Sequence, residues 1–110
     1  MPAYLNSKYE EQIEFQDENG DTLDVSTYAF GMLWYAANSK TLKVTLTAGS
    51  GIDVTNAATG IIIISLTPAQ VTTIGPGMAR VLLYKDYADD AERTLIAEGS
   101  ESIESQGFDA

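Results

Sequence analysis

The stretch that decides the fold is residues 60–77, which read GIIIISLTPAQVTTIGPG. Its first part, residues 61–66, is rich in β-branched side chains and too short for a helix, so it predicts an interior strand. Thr67 then suits the N-cap of a helix, and Pro68 suits its first position, where a missing N–H breaks no hydrogen bond. Because a Gly-Pro-Gly sequence ends this pattern, the stretch predicts a strand followed by one short helix near residues 68–74.

Alternating apolar residues predict strands on both sides of this stretch. Upstream, Tyr9, Ile13 and Phe15 fall on one side of residues 9–15, which predicts a half-buried strand. Residues 29–36 are apolar on both faces, which is typical of a central strand that is covered on both sides. Further strands are predicted at residues 42–47, 52–55, 78–87 and 93–103, the last either continuous or divided at Gly99.

These elements define a fold class and a domain. Seven or eight short strands, with turns about every 8–12 residues, are typical of an antiparallel β-sandwich. We therefore predict an all-β sandwich that carries one short helix. The length of 110 residues suits one domain, which we expect over residues 9–105. We expect an N-terminal arm at residues 1–8 and a C-terminal tail at residues 106–110. Residues 1–8 and 100–110 lack a strong pattern of their own, so we expect neighbouring chains to order them.

The composition excludes several kinds of chemistry. The chain has no cysteine and no histidine, which removes disulfides, thiolate and imidazole metal ligands and a Ser-His-Asp triad. Its 16 acidic and 6 basic residues give a net charge of −10, which argues against nucleic-acid binding, since phosphates need a basic patch. No apolar run is long enough to span a bilayer, and the N-terminus lacks the features of a secretory signal. We therefore expect synthesis in the cytoplasm, with no membrane partner, no cofactor and no metal.

The acidic residues are concentrated in two flanking segments. Residues 1–24 carry a net charge of −6 and residues 86–110 one of −7, whereas residues 25–85 between them carry +3. We expect the acidic flanks to keep the free protein soluble and unassociated. They also suit basic surfaces on neighbouring proteins, whose contacts would weaken as the salt concentration rises.

A resemblance to a known family rests mainly on residues 60–84. Its elements, in order, are Leu66-Thr67 at the end of a strand, Gln70 in a short helix, a Pro76-Gly77 turn and Leu83-Tyr84 at the end of the next strand. Upstream, residues 20–28 read GDTLDVSTY, in which a hairpin turn leads to an apolar-Asp-apolar-Ser/Thr step. Over about residues 9–105, this order of motifs resembles the immunoglobulin-like N-terminal domain of phage upper baseplate proteins and its single-domain relatives.

The resemblance implies a non-enzymatic structural protein of a phage virion, located in the tail, neck or baseplate. Such a protein acts through contacts with other virion proteins in a symmetric assembly, such as a homo-oligomeric ring, and the resemblance supplies no catalytic residue. The alternative is a small carbohydrate- or host-surface-binding β-sandwich module used in adsorption. This alternative depends on aromatic side chains that could stack on a sugar.

The candidate interaction residues are aromatic, apolar and acidic side chains: Tyr4, Leu5, Tyr28, Trp34, Tyr35, Asp89, Asp90 and Phe108. Trp34 with Tyr28 and Tyr35 would make a sugar-stacking platform, although a tryptophan in a central strand is more often part of the core. The acidic turn at residues 86–92 could bind Ca²⁺ through its carboxylates. It lacks the residue spacing of a calcium loop, which favours a solvated turn.

A second acidic group lies near the N-terminus. Glu10, Glu11 and Glu14 could supply a general acid and base, as glycosidases require. They alternate with the apolar residues of the first predicted long strand, however, which favours the exposed face of that strand.

Overall fold

The computed structural model describes residues 3–37 and 39–104. Within these residues the chain forms eight strands, one α-helix and a short 3₁₀ turn at Ala57–Thr59. The strands are β1 (Ala3–Tyr4), β2 (Tyr9–Glu14), β3 (Gly31–Tyr35), β4 (Leu42–Ala48), β5 (Gly51–Asp53), β6 (Ile61–Leu66), β7 (Gly77–Lys85) and β8 (Thr94–Glu104). The helix α1 spans Pro68–Ile74. The predictions of an all-β fold and of a short helix near residues 68–74 are confirmed.

Local side-chain chemistry fixes the start of α1. The Thr67 hydroxyl accepts a hydrogen bond from the Gln70 backbone N–H at 3.1 Å, and the Gln70 side chain accepts one from the Thr67 backbone N–H at 2.9 Å. This reciprocal pair satisfies backbone donors that the start of a helix leaves free. The helix then buries Val71 and Ile74 in the core.

The strands of the described residues join one sheet, in the order β1-β8-β7-β3-β4-β5-β6-β2. Neighbouring strands are antiparallel except in the β1–β8 and β4–β5 pairs, which are parallel. The two edge strands, β1 and β2, follow each other in the chain with only residues 5–8 between them. A linker this short spans at most roughly 17 Å, so the sheet must curl until its edges approach each other. The result is a nearly closed barrel.

The connection between β4 and β5 distinguishes this curled sheet from the expected sandwich. A sandwich is built from two separate sheets. Here β4 and β5 pair side by side, which joins the strands β1-β8-β7-β3-β4 and the strands β5-β6-β2 into one sheet. Gly49 and Gly51 permit this connection, because their φ angles of +83° and +96° suit glycine and let the chain turn sharply. The backbones of Thr47 and Ser50 hydrogen-bond across the same turn.

The core fills the inside of the curled sheet. On β6, the buried residues Ile62, Ile64 and Leu66 alternate with half-buried residues that face outward. β3 lies between β7 and β4 and is buried on both faces, so the central position predicted from its two-sided apolar pattern is confirmed. Trp34 of β3 packs edge-on against Tyr9 of β2, with ring centroids 5.8 Å apart. The core therefore connects the central strand β3 with β2, which lies at one edge of the sheet.

The first described residues belong to the sheet. β1 pairs in parallel with the end of β8, and Ala3 is 2% exposed. The Leu5 backbone N–H donates a hydrogen bond to the Glu104 carbonyl oxygen at 2.8 Å. The expectation of an arm at residues 1–8 is therefore wrong for the part of it that the structure describes, because a two-residue strand is too short to show a periodic pattern. Residues 100–104, also expected to be ordered by neighbouring chains, belong to β8, and residues 100–103 pair with β7 of the same chain. The expected tail at residues 106–110 lies outside the described residues.

Candidate functional site

The curled sheet leaves a cleft between β2 and β8. In the described part of the chain, β2 pairs only with β6, and β1 covers only the last two residues of β8. The outer edge of β2 and most of the outer edge of β8 therefore border a cavity of about 190 Å³. We call it the β2–β8 cleft; it is lined by Glu11, Ile13, Phe15, Met32, Trp34, Val81, Leu83 and residues 97–101.

Small residues of β8 create the cleft. The register with β7 places Ala97, Gly99 and Glu101 on the inner face of the sheet. Ala97 and Gly99 fill little of the interior, and a Cβ atom added to Gly99 would meet no atom of a non-adjacent residue within 4 Å. Because protein interiors are otherwise closely packed, the missing side-chain volume becomes the cleft.

Trp34 forms the floor of the cleft together with apolar side chains of β3 and β7. The Trp34 residue is 1% exposed, and its Nε1–H has no hydrogen-bond partner among the described residues. An unpaired buried donor costs about 1–3 kcal/mol. Met32, Val81 and Leu83 make the rest of the floor apolar. Apart from the Trp34 N–H, the floor is therefore apolar, and it suits an apolar occupant.

Two carboxylates, those of Glu11 and Glu101, line the part of the cleft that we call its mouth, and the buried Tyr9 contacts both. The Tyr9 hydroxyl donates a hydrogen bond to the Glu11 carboxylate, and Glu101 of β8 interacts with the same hydroxyl. Burial, followed by these two carboxylates, holds the pKa of Tyr9 far above its usual value. Burial also raises the pKa of Glu101, and the negative charge of Glu11 adds to that rise. The cleft therefore combines an apolar interior with an acidic mouth.

The two strands that border the cleft are both acidic. β2 and β8 each contain three glutamates, and neither contains a lysine or an arginine. Two of these glutamates have basic neighbours from elsewhere in the chain: Lys8 lies 3.4 Å from Glu10, and Arg80 lies 3.4 Å from Glu98. Such exposed pairs contribute little to stability, so the edges of the cleft keep an excess of negative charge.

The structure corrects the interpretation of Glu11. The sequence pattern places Glu10, Glu11 and Glu14 on one exposed strand face; all three are exposed, but Glu11 lies on the opposite face from the other two. Glu11 pairs with Ile64 in the sheet, so its side chain shares the inner face with Tyr9, whereas Glu10 and Glu14 lie on the outer face. A strict period of two counted from Tyr9 reaches Glu11, so the alternation itself contained this signal.

The aromatic candidates do not form one surface. Trp34 lies in the core, as predicted from its central strand, and a buried ring cannot offer its face to a sugar. Tyr28 precedes β3, packs on Phe30, and has the Lys85 ammonium 4.5 Å from its ring centroid. Tyr35 is half-buried at the other end of β3. The structure therefore does not build the sugar-stacking platform from these three residues.

The acidic turn between β7 and β8 is held by hydrogen bonds within the turn. Asp89 accepts a hydrogen bond from the Ala91 backbone N–H at 3.0 Å, and Asp90 pairs with Arg93 at 2.9 Å. The Arg93 guanidinium also donates to the Tyr87 carbonyl oxygen at 2.7 Å and lies over the Tyr87 ring. In the described ranges, no group of three His, Cys, Asp or Glu side chains is arranged to hold a metal ion.

The remaining interaction candidates lie away from the cleft, and Glu101 at its mouth was missed. Tyr4 is exposed and Leu5 is half-buried, both near the end of β8, and Phe108 lies outside the described residues. Of the candidate interaction residues, only Trp34 lines the cleft, and Glu11, considered above as an acid or base, lines it as well. Spacing by two in the last predicted strand would have found the others, because it puts the small and acidic residues on one face: Ala97, Gly99 and Glu101.

Comparisons with known proteins do not assign the chain to a family. No protein-family profile matches it, and no curated protein matches it closely enough to count as a relative. No helix formed by the described residues is long and apolar enough to cross a membrane. The resemblance to phage baseplate domains therefore stays a prediction.

Proposed function

We propose that the protein is a non-enzymatic structural subunit of a bacteriophage virion, in the tail, neck or baseplate, and that it acts by binding neighbouring virion proteins in a symmetric assembly. The observation that carries this proposal is the β2–β8 cleft. Free strand edges beside an apolar cleft favour protein–protein binding, because an unpaired edge can accept a strand from another chain. The resemblance of residues 60–84 to phage baseplate domains supplies the kind of assembly.

The charge distribution supports the same function. The net charge of −10 and the glutamates of β2 and β8 oppose edge-to-edge pairing between free copies. The same charges favour association with a basic surface on a different protein. A subunit of this kind stays dispersed after synthesis and associates when its proper neighbour is present.

The carbohydrate-binding alternative has no comparable support. It requires an aromatic face that is open to solvent, whereas Trp34 is buried and Tyr28 and Tyr35 lie at opposite ends of β3. We therefore keep the virion subunit as the proposed function.

Quantitative mass spectrometry of purified phage particles tests the proposal. We expect the chain to remain with the particles of the phage that encodes it through density-gradient purification, at a fixed ratio to the major capsid protein. A non-structural protein of the same phage serves as the control, since the gradient should remove it. Recovery of the chain only from the soluble lysate, and not from particles, would show that the proposal is wrong.

A further inference from the structure

The β2–β8 cleft has room for one large side chain. Its volume of about 190 Å³ exceeds the roughly 150 Å³ of an engineered protein cavity that admits benzene. Ile13 and Phe15 on one side and Val81 and Leu83 on the floor make the interior apolar. An aromatic or large aliphatic side chain that enters it would lose apolar surface to water, which is how anchor residues stabilise protein interfaces.

The edges of the cleft suit an extended chain better than a free small molecule. From Thr94 to Ser102, the outer edge of β8 has no strand partner among the described residues. Backbone N–H and C=O groups on such an edge bond readily to an added strand. An added strand also points every second side chain to the same face. A segment that pairs with β8 would therefore bring a side chain into the cleft while its backbone is bonded.

The charges favour a basic partner over a second copy of this chain. Pairing of β2 or β8 with the same strand of another copy would set glutamates against glutamates, because each strand carries three of them. Like charges on adjacent strands are destabilising. Lysine or arginine two residues from the anchor would instead lie on the inner face and meet Glu11 and Glu101 at the mouth.

We infer that the β2–β8 cleft binds an extended segment of a partner protein. The segment pairs with the edge of β8, places one large apolar side chain in the cleft, and sets lysine or arginine against Glu11 and Glu101. The inference rests on the proposed function only for the origin of the partner in the virion. Its test uses the isolated protein. The peptide can therefore bind even if the chain is absent from phage particles, and the chain can be present in particles even if the peptide does not bind.

The fluorescence of Trp34 provides the measurement, because it is the only tryptophan of the chain and lines the cleft. The probe is the synthetic peptide acetyl-TVKTFTKVT-amide, whose phenylalanine and two lysines fall on one face of a strand. We expect a saturable change in emission with a micromolar dissociation constant. Replacing the phenylalanine by serine, or both lysines by glutamate, should weaken binding about tenfold or more. No binding of the phenylalanine peptide at millimolar concentration would overturn the inference.

Gly99→Leu is the variant that fills the cleft. The φ angle of Gly99 lies outside the left-handed region and the space around its Cβ position is open, so we expect the fold to persist and the peptide to bind about tenfold more weakly. Ser102→Leu is the matched control, since the register with Met78 places it on the outer face of the same strand. Equal binding by the two variants would contradict the inference.

Two further measurements address a variant that does not fold and a second copy of the chain as the occupant. If circular dichroism shows that Gly99→Leu does not fold, Glu101→Lys replaces it, because it reverses one charge at the mouth. This variant should weaken binding of the lysine peptide and strengthen binding of the glutamate peptide, and the absence of such an exchange would contradict the inference. Analytical ultracentrifugation tests the second-copy occupant: a dimer of the wild-type chain that Glu101→Lys or Gly99→Leu abolishes would overturn the choice of a basic partner.

Discussion

The β3–β7 pair and the β2–β8 cleft are parts of one sheet with opposite packing. At the β3–β7 pair both faces are covered, since Trp34 and Leu83 are buried inside, and Leu33 and Leu82 are each 7% exposed on the outside. At the cleft, the inner face of β8 carries alanine, glycine and glutamate, and the strand edges stay unpaired. Large apolar side chains thus close the sheet through burial, whereas small and acidic ones leave it open.

Two glycines, one at the β3–β7 pair and one at the cleft, show the same difference in packing. A Cβ atom on Gly31 would lie 2.2 Å from Cγ of Tyr87, whereas a Cβ atom on Gly99 would meet nothing within 4 Å. The Tyr87 backbone N–H donates to the Ala29 carbonyl oxygen at 3.0 Å, which keeps the ring against the outside of β3. Gly31 is therefore required by crowding, and Gly99 leaves space. The comparison teaches that one part of the sheet is closely packed, whereas the other leaves space for the segment that we propose to bind there.

Removal of Trp34 should have the largest effect, because its ring belongs to both regions. Trp34→Ala leaves a large void in the core and should lower the free energy of unfolding by about 3–5 kcal/mol, measured by urea denaturation with far-ultraviolet circular dichroism. Met78→Ala is the control, since Met78 is 57% exposed and its loss should change stability by less than about 0.5 kcal/mol. Similar losses in the two variants would contradict the central role of Trp34.

Crowding at the β3–β7 pair should make Gly31→Ala the next largest effect. The added methyl group displaces the Tyr87 ring, so we expect a loss of about 1–3 kcal/mol in unfolding free energy. A double-mutant cycle supplies the control, because the same substitution should cost less in a Tyr87→Ala background. An equal cost in both backgrounds would show that the ring is not what restricts this position.

At the cleft, the same glycine-to-alanine substitution should raise the free energy of unfolding instead of lowering it. Gly99→Ala should raise the free energy of unfolding by about 0.4–1 kcal/mol, because alanine restricts the unfolded chain and nothing in the folded chain opposes the methyl group. Urea denaturation of Gly31→Ala and Gly99→Ala under identical conditions measures the contrast. A loss of stability in Gly99→Ala would mean that the cleft is more tightly packed than described.

Glu101 at the acidic mouth should make a smaller contribution to the free energy of unfolding, and this contribution should depend on pH. Because the pKa of Glu101 is raised in the folded protein, the folded chain binds that proton more tightly, and stability falls as the pH rises from the ordinary carboxyl range through the raised pKa. Glu101→Gln removes this titration, so its stability relative to wild type should increase as the pH rises above about 4. Urea denaturation of both proteins over this pH range measures the difference, and a difference that does not change with pH would contradict the role given to the burial of Glu101.

Much of the fold follows from local patterns. The Thr67 cap and Pro68 predict α1 because neighbours in sequence supply both partners of its capping hydrogen bonds. The two-sided apolar pattern of β3 predicts its central place, since such a strand needs cover on both faces. The single curled sheet was not predicted, because it depends on the backbone at Gly49 and Gly51 and on the pairing of distant strands.

The candidate site was predicted less well than the fold. The burial of Trp34 follows from its strand, but a cleft arises from absent side-chain volume, and sequence patterns emphasise the large residues that are present. Ala97 and Gly99 mark the site only once β8 is known to face β2 across the interior. Glu11 and Glu101 come from opposite ends of the chain, so their shared contact with the Tyr9 hydroxyl depends on the closing of the whole sheet.

The pairing of β1 with β8 also sets the order of events during synthesis. Ala3 pairs with Ile103, so 100 further residues must be made after Ala3 before its partner is complete. At a translation rate of about 5–20 residues per second, the first strand waits roughly 5–20 s before its partner leaves the ribosome. Pairing over such a separation also slows folding. Because β8 forms one side of the cleft, the cleft takes its final shape only after this last strand has been made and has docked.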